Sequence, residues 1–189
     1  CDFPDLYDSY DSKEDASAGI GNFCLMSYGS YAKKNPPHVN AYLKYQAGWA
    51  QSVTDITAGL NATAPAGTNQ FFIHQKNLTE YFIIENRHKA GRDETLPGSG
   101  LAIWHIDENQ HENKNHNNNQ QMTPLLHYEC SLVQADGRRD LETNANYGDA
   151  TDLFGADVNN HFGEATNPNS KWWDGTASGL DISEISSTD

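Results

Sequence analysis

Between residues 70 and 107, three runs, QFFIHQ, TEYFIIENR and GLAIWHIDE, carry β-branched and aromatic side chains over strand-like lengths. Clusters of Asn, Gly and Pro separate them, so they read as strands of one sheet joined by turns. A further strand is expected over CSLVQAD. GLDISEIS suits an edge strand, since Leu180, Ile182 and Ile185 keep period two only in part. The stretch 109–121, NQHENKNHNNNQQ, has no apolar side chain and cannot help to bury a core, which predicts a surface excursion. Upstream, Asn40 can cap a helix over AYLKYQAGW, with Gly48 as its stop and Tyr42, Leu43 and Ala47 as its apolar face. Residues 1–36 are too rich in Gly, Ser, Tyr and acidic residues for long regular elements. The expected fold class is α+β with β predominating: a mainly antiparallel sheet and one short helix. Residues 1–189 are expected to form a single partial domain, divided into loop 1–36, helix 37–50 and β-rich part 70–189.

Hydrophobic residues make up 37% of the chain, enough for a core rather than disorder. The 12 Lys and Arg against 26 Asp and Glu leave a formal charge of -14, which repels nucleic-acid phosphates and anionic membrane surfaces. Neither is expected as a partner. No apolar run approaches the roughly 20 residues that span a bilayer. Cys1, Cys24 and Cys130 are too few for a disulfide scaffold and form no CxxC pair, leaving a structural thiol or one disulfide open. The start has neither the basic nor the apolar stretch of a signal peptide and opens on Cys, so a processed or truncated product is expected.

Several residues could carry chemistry. Asp5 and Asp8 lie around Leu6 and Tyr7, and Pro4 constrains the approach to Asp5, which suits a carboxylate presented from a turn. Met26 lies in a Gly-flanked loop and, on composition alone, reads as core filler. Asp136 and Asp140, then Asp149, Asp152 and Asp157, are either solvated and capping acids or oxygen ligands for calcium. His105 and Asp107 share a strand face, as do Glu85 and Arg87. The first pair could line a cleft, hold a zinc ligand from behind, ligate calcium or be structural; the second suits an ion pair. No HExxH occurs among the eight histidines. His111-Glu112 is followed by His116 five residues after His111, a spacing that does not put two imidazoles on one helical face.

Taken in order, FPDLYD, GIGNFCLMSYGSY, AYLKYQAGW, EYFIIENR, LPGSGLAIWHIDE, LVQADG, GDATDLF and TNPNS resemble the M6 metallopeptidases, the immune inhibitor A group, from Phe3 to about Ile185. That group carries HExxHxxGxxD, in which two histidines bind zinc and the Glu is general base on the metal-bound water. FPD matches the end of the motif. The resemblance therefore implies Asp5 as the third zinc ligand and Asp2 where Gly is usual. The two histidines would lie two and six residues before Cys1, in upstream sequence that supplies the missing N-terminal part of the catalytic domain. LMSYGSY resembles the methionine turn of metzincin-type peptidases, which implies a structural role for Met26 under the zinc site. Tyr28 would there be placed to stabilise the oxyanion of the tetrahedral intermediate. The resemblance also implies a structural calcium site around Asp149 and Asp152.

The function so implied is the C-terminal portion of a secreted zinc endopeptidase, hydrolysing protein or peptide substrates and inactive without its upstream half. A rival is a non-catalytic, calcium-stabilised β-rich binding module derived from that fold, to which Asp2 lends support. A third reading, carbohydrate binding, rests on Trp49, Trp104, Trp172 and Trp173.

Overall fold

The computed structural model describes residues 3–8, 17–110 and 122–187. Five strands form one sheet in chain order: β1 Ser52–Asp55, β2 Gln70–Gln75, β3 Glu80–Arg87, β4 Gly100–Asp107 and β5 Cys130–Leu132. The β2–β3, β3–β4 and β4–β5 pairings are antiparallel, and β1 alone runs parallel to its neighbour. The chain is thus β-rich, with a mostly antiparallel open sheet and little helix. The three runs between residues 70 and 107 are β2, β3 and β4. β1 gives no such signal, because SVTD has one apolar residue, Val53, and is mostly exposed. Its parallel pairing requires the long crossover through 56–69.

Alternation along the strands gives the sheet two buried faces. One carries Phe71, Ile73, Tyr81, Ile83, Trp104 and Ile106 against the helix and the loops of the first 45 residues, including Leu6, Ile20 and Phe23. The other carries Phe82, Ile84 and Ile103 against Phe154, Phe162, Trp172 and Leu180 of the C-terminal part. Both faces being covered, β3 is buried almost throughout, which is why EYFIIENR reads as a nearly continuous apolar run.

The helix, α1, spans Ala41–Gln46 and is shorter than AYLKYQAGW suggests. Its caps are as expected. The Asn40 side chain accepts from Leu43 N at 3.2 Å, and Gly48 takes a left-handed φ of 70°. Gly48 N then donates to Tyr45 O and Trp49 N to Lys44 O, a pair of bonds that turns the chain out of the helix before Trp49 can join it.

A buried ionic hub ties these layers together. Glu85 Oε1 accepts from Ala41 N and Trp104 Nε1, both at 3.0 Å, and lies 3.2 Å from Arg87 Nη1. Arg87 also donates to Phe23 O at 3.0 Å and pairs with Asp93 at 3.1 Å. The expected Glu85–Arg87 pair therefore exists, and it joins the sheet to α1, to the loop that leads into Met26 and to the turn at Gly91–Asp93. Removing one partner of such a network leaves a buried charge uncompensated, at about 3–5 kcal/mol.

Two expected strands are cut short. CSLVQAD is a strand only to Leu132, after which Gln134 O accepts from Gly137 N in a turn. GLDISEIS forms a single bridge, Phe162 with Ile182, rather than an edge strand. The Ser170 hydroxyl takes the Leu180 carbonyl and Glu184 adopts φ 56°, so the ladder cannot extend either way. In the first 36 residues only short 3-10 turns occur among the described residues, at Gly21–Phe23 and Tyr28–Tyr31. Most of the polar stretch 109–121, with His111 and His116, lies outside the described residues, as do Cys1 and Asp2. Among those described, no helix is long and apolar enough to cross a membrane.

Candidate functional site

The segment FPDLYD lies along the loop that contains Met26. Leu6 N donates to Met26 O at 2.8 Å, Ile20 N donates to Leu6 O at 3.0 Å, and Asp8 bridges Ser17. This close passage explains Gly19 of GIGNF, and the nearby segment at Tyr147 explains Gly21. A Cβ on Gly19 would meet Leu6 O at 2.0 Å, and one on Gly21 would meet Tyr147 O at 2.4 Å; both glycines also have positive φ. Leu6 is fully buried, and Asp5 beside it is partly exposed, with Tyr7 Oη 3.2 Å from its Oδ2. Met26 packs, partly buried, on the same core.

Tyr28 is the centre of an aromatic cluster. Its ring stacks on Tyr31 at 5.6 Å, lies 4.4 Å from Tyr147 and meets Tyr7 edge-on at 6.2 Å. Burial, then the neighbouring phenols Tyr147 and Tyr31 and the Asp8 carboxylate, push the Tyr28 hydroxyl above its usual pKa, so it stays protonated and can donate. On the far side of the FPD segment, a cleft of about 360 Å³ is lined by Phe3, Pro4, Tyr42, Leu43, Ala47 and Glu129. Among the described residues Asp5 belongs to no group of three potential metal ligands, so the residues in hand do not make a zinc site by themselves.

The acidic residues after β5 behave differently. Asp136, Asp149 and Asp152 bring ligand oxygens within 4.8 Å of one another, the one such group among the described residues. Asp152 is 1% exposed and accepts from Asp149 N at 2.7 Å, while Asn146 Nδ2 spans Asp140 and Asp149. The Thr151 hydroxyl lies 2.6 Å from Asp149 Oδ1 and 2.7 Å from Asp136 Oδ2, but its single hydrogen can serve only one of them. Burial, followed by the charges of Asp149, Asp136 and Asp140, pushes Asp152 up to about 7. Hydrogen bonds from Thr151 hold Asp149 below the usual range. A hard cation fits this donor set, since it would relieve the repulsion and use the unmatched lone pairs. Of the five acids expected as solvated, capping or calcium-binding groups, Asp136 joins Asp149 and Asp152 here, and Asp157 is not in the group. Asp140 joins only through Asn146.

His105 and Asp107 do share a face, but it is the face opposite to the one on which Met26 and Tyr28 pack. They therefore do not hold the Asp5 corner from behind. Each has its own partner: His105 Nε2 is 3.3 Å from Glu80 Oε1, and Asp107 Oδ2 is 3.1 Å from His127 Nε2. Burial lowers the His105 pKa. Burial acts to raise Glu80, but hydrogen bonds from His105, Lys76 and Trp173 N overcome it and hold Glu80 at about 2.

The same stack bears on the tryptophans. Trp173 lies between the imidazoles of His105 and His127, at 4.7 and 4.1 Å, and Trp172 stacks on His74 and Phe82. Trp104 is fully buried, and Trp49 meets Phe3 edge-on. The ring faces a sugar would need at Trp104, Trp172 and Trp173 are already covered. Glu80 and His127, the groups that fix Trp173, had no sequence signal beyond polarity.

Comparison with protein-family models, curated proteins and solved structures finds nothing that matches the chain.

Proposed function

We propose that the chain is the C-terminal portion of a secreted, zinc-dependent endopeptidase, with Asp5 as third zinc ligand and an upstream HExxH supplying the other two ligands and the general base. One observation carries this reading. FPDLYD and LMSYGSY, separate motifs of the resemblance, are hydrogen-bonded neighbours through Leu6 N and Met26 O, so Asp5, Met26 and Tyr28 share one corner. Bound there, zinc supplies Lewis acidity and an activated water. The chain's own residues supply the rest. Tyr7 orients the Asp5 carboxylate, Met26 forms part of the apolar floor, and the protonated Tyr28 hydroxyl donates to the carbonyl oxygen as charge builds on it. The cleft at Phe3 and Pro4 suits an apolar substrate side chain.

Asp136, Asp149 and Asp152 would hold a structural calcium that fixes the loops after β5. The second reading, a non-catalytic calcium-stabilised β-rich module, rests on that same acidic group. Hydrolysis of a protein substrate separates the two. The chain extended upstream through an intact HExxH is expected to cleave in a chelator-sensitive way, and the 189 residues alone are not. Equal activity of the 189 residues alone would sink the proposal.

A further inference from the structure

The Tyr28 hydroxyl makes no hydrogen bond among the described residues, which leaves it open to an incoming acceptor. Ring contacts alone therefore decide where it points. A tyrosine turns about two side-chain torsions, so an unsupported ring would carry its hydroxyl through a wide arc. Three rings touch Tyr28, and they are not equivalent. Tyr31 belongs to the same 3-10 turn and is 73% exposed, so it moves with Tyr28 rather than fixing it. Tyr7 meets Tyr28 edge-on at 6.2 Å and donates its own hydroxyl to Asp5. Tyr147 is the nearest, at 4.4 Å between ring centres, and comes from a distant part of the chain.

The backbone around Tyr147 is held from both sides. Its carbonyl accepts from Asn22 N at 2.8 Å, which ties it to the loop that leads into Met26. Two glycines make that approach possible: a Cβ on Gly21 would meet Tyr147 O at 2.4 Å, and one on Gly148 would meet the Phe23 ring at 2.6 Å, with φ of 58° and 103° respectively. On the other flank, Asn146 Oδ1 accepts from Gly148 N at 2.7 Å, and Asn146 Nδ2 donates to Asp140 at 3.1 Å and Asp149 at 3.2 Å. The Tyr147 ring itself is 47% exposed. A ring left that open adds little to the core, so what this constrained backbone secures is the contact with Tyr28.

We propose that Tyr147 is a positioning residue for Tyr28: its ring, fixed from the segment 146–148, holds the Tyr28 ring beside Tyr7 and so keeps the Tyr28 hydroxyl at the Asp5 corner. This rests on the reading of Tyr28 as the donor to the substrate carbonyl oxygen. Tyr147 acts only through Tyr28. The contact is between rings, so the Tyr147 hydroxyl is not needed for it.

The test is a double-mutant cycle on hydrolysis by the chain extended upstream through HExxH, with zinc content measured for every variant. Tyr147→Ala is expected to lower kcat about tenfold with KM and zinc content little changed, as misplacing a donor should. Tyr147→Phe, which keeps the ring, should retain most of the activity. In Tyr28→Phe, where no hydroxyl is left to position, adding Tyr147→Ala should cost almost nothing further. Tyr147→Leu fills the space without a ring and should resemble Tyr147→Ala; it takes that variant's place in the cycle if Tyr147→Ala does not fold. Losses that add, a Tyr147→Phe as impaired as Tyr147→Ala, or an unchanged kcat in Tyr147→Leu would overturn the proposal and leave the role of Tyr28 standing. An unchanged kcat in Tyr28→Phe, or no hydrolysis by the extended chain, would overturn the reading of Tyr28 and the proposal with it.

Discussion

The corner at Asp5 and the acidic group at Asp136, Asp149 and Asp152 are both candidate metal sites, yet they are built in opposite ways. The acidic group draws its ligands from two loops close in the chain, so its oxygens converge within 4.8 Å using nothing but residues 136–152. At the Asp5 corner Leu6 is bonded to Met26 and the Arg87 hub holds Phe23, but among the described residues Asp5 joins no group of three potential ligands. The first site can be tested in this chain as it stands, and the second only with the sequence that precedes it.

The largest effect should come from Asp5→Ala in the upstream-extended chain. Loss of partners behind a metal ligand already costs roughly 10–100-fold, so loss of the ligand itself should reduce hydrolysis by more than about a hundredfold while calcium binding stays unchanged. If both fall together, the two regions are not separate. Glu85→Ala comes next, with about 3–5 kcal/mol of stability lost in denaturant unfolding. Glu85→Gln, which keeps acceptors for Ala41 N and Trp104 Nε1, should lose less. Calcium at about 100 times its Kd should add roughly 2.7 kcal/mol, and Asp152→Asn should abolish that gain. Tyr28→Phe in the extended chain should lower kcat by roughly 10–100-fold with KM little changed, since the hydroxyl acts only as charge develops.

The smallest effect is a pH dependence. Asp152 has its folded pKa raised from 3.8 to about 7, so the folded state holds the proton more tightly and its contribution to stability falls as pH rises from about 4 to 7. Glu80, held at about 2, acts oppositely, and its contribution is lost only as pH falls below about 4.5. Between pH 5 and 7 the Asp152 effect should dominate these two. Without calcium, thermal unfolding should move down by on the order of a few degrees across that window, and with saturating calcium or Asp152→Asn it should not.

How much of this could be read from the sequence depended on whether the signal was local. The strands β2, β3 and β4 showed because each concentrates apolar residues, and the caps of α1 showed because Asn40 and Gly48 act within a turn of their own positions. β1 stayed hidden because its pairing, not its composition, makes it a strand. The end of β5 and the lone bridge at Ile182 depended on distant hydrogen bonds such as Ser170 to Leu180. Asp5, Met26 and Tyr28 were named from motif order, and the fold brings them to one corner. His105 and Asp107 were placed on a shared face, but nothing local said which side of the sheet that face occupies, or that His127 and Glu80 would be their partners.

The most direct measurement is zinc content after dialysis of the chain extended upstream through HExxH, compared with its Asp5→Ala variant. Stoichiometric zinc in the first and a marked loss in the second is the predicted result. Zinc retained in full by folded Asp5→Ala would contradict the assignment of this corner as the remainder of a zinc peptidase site.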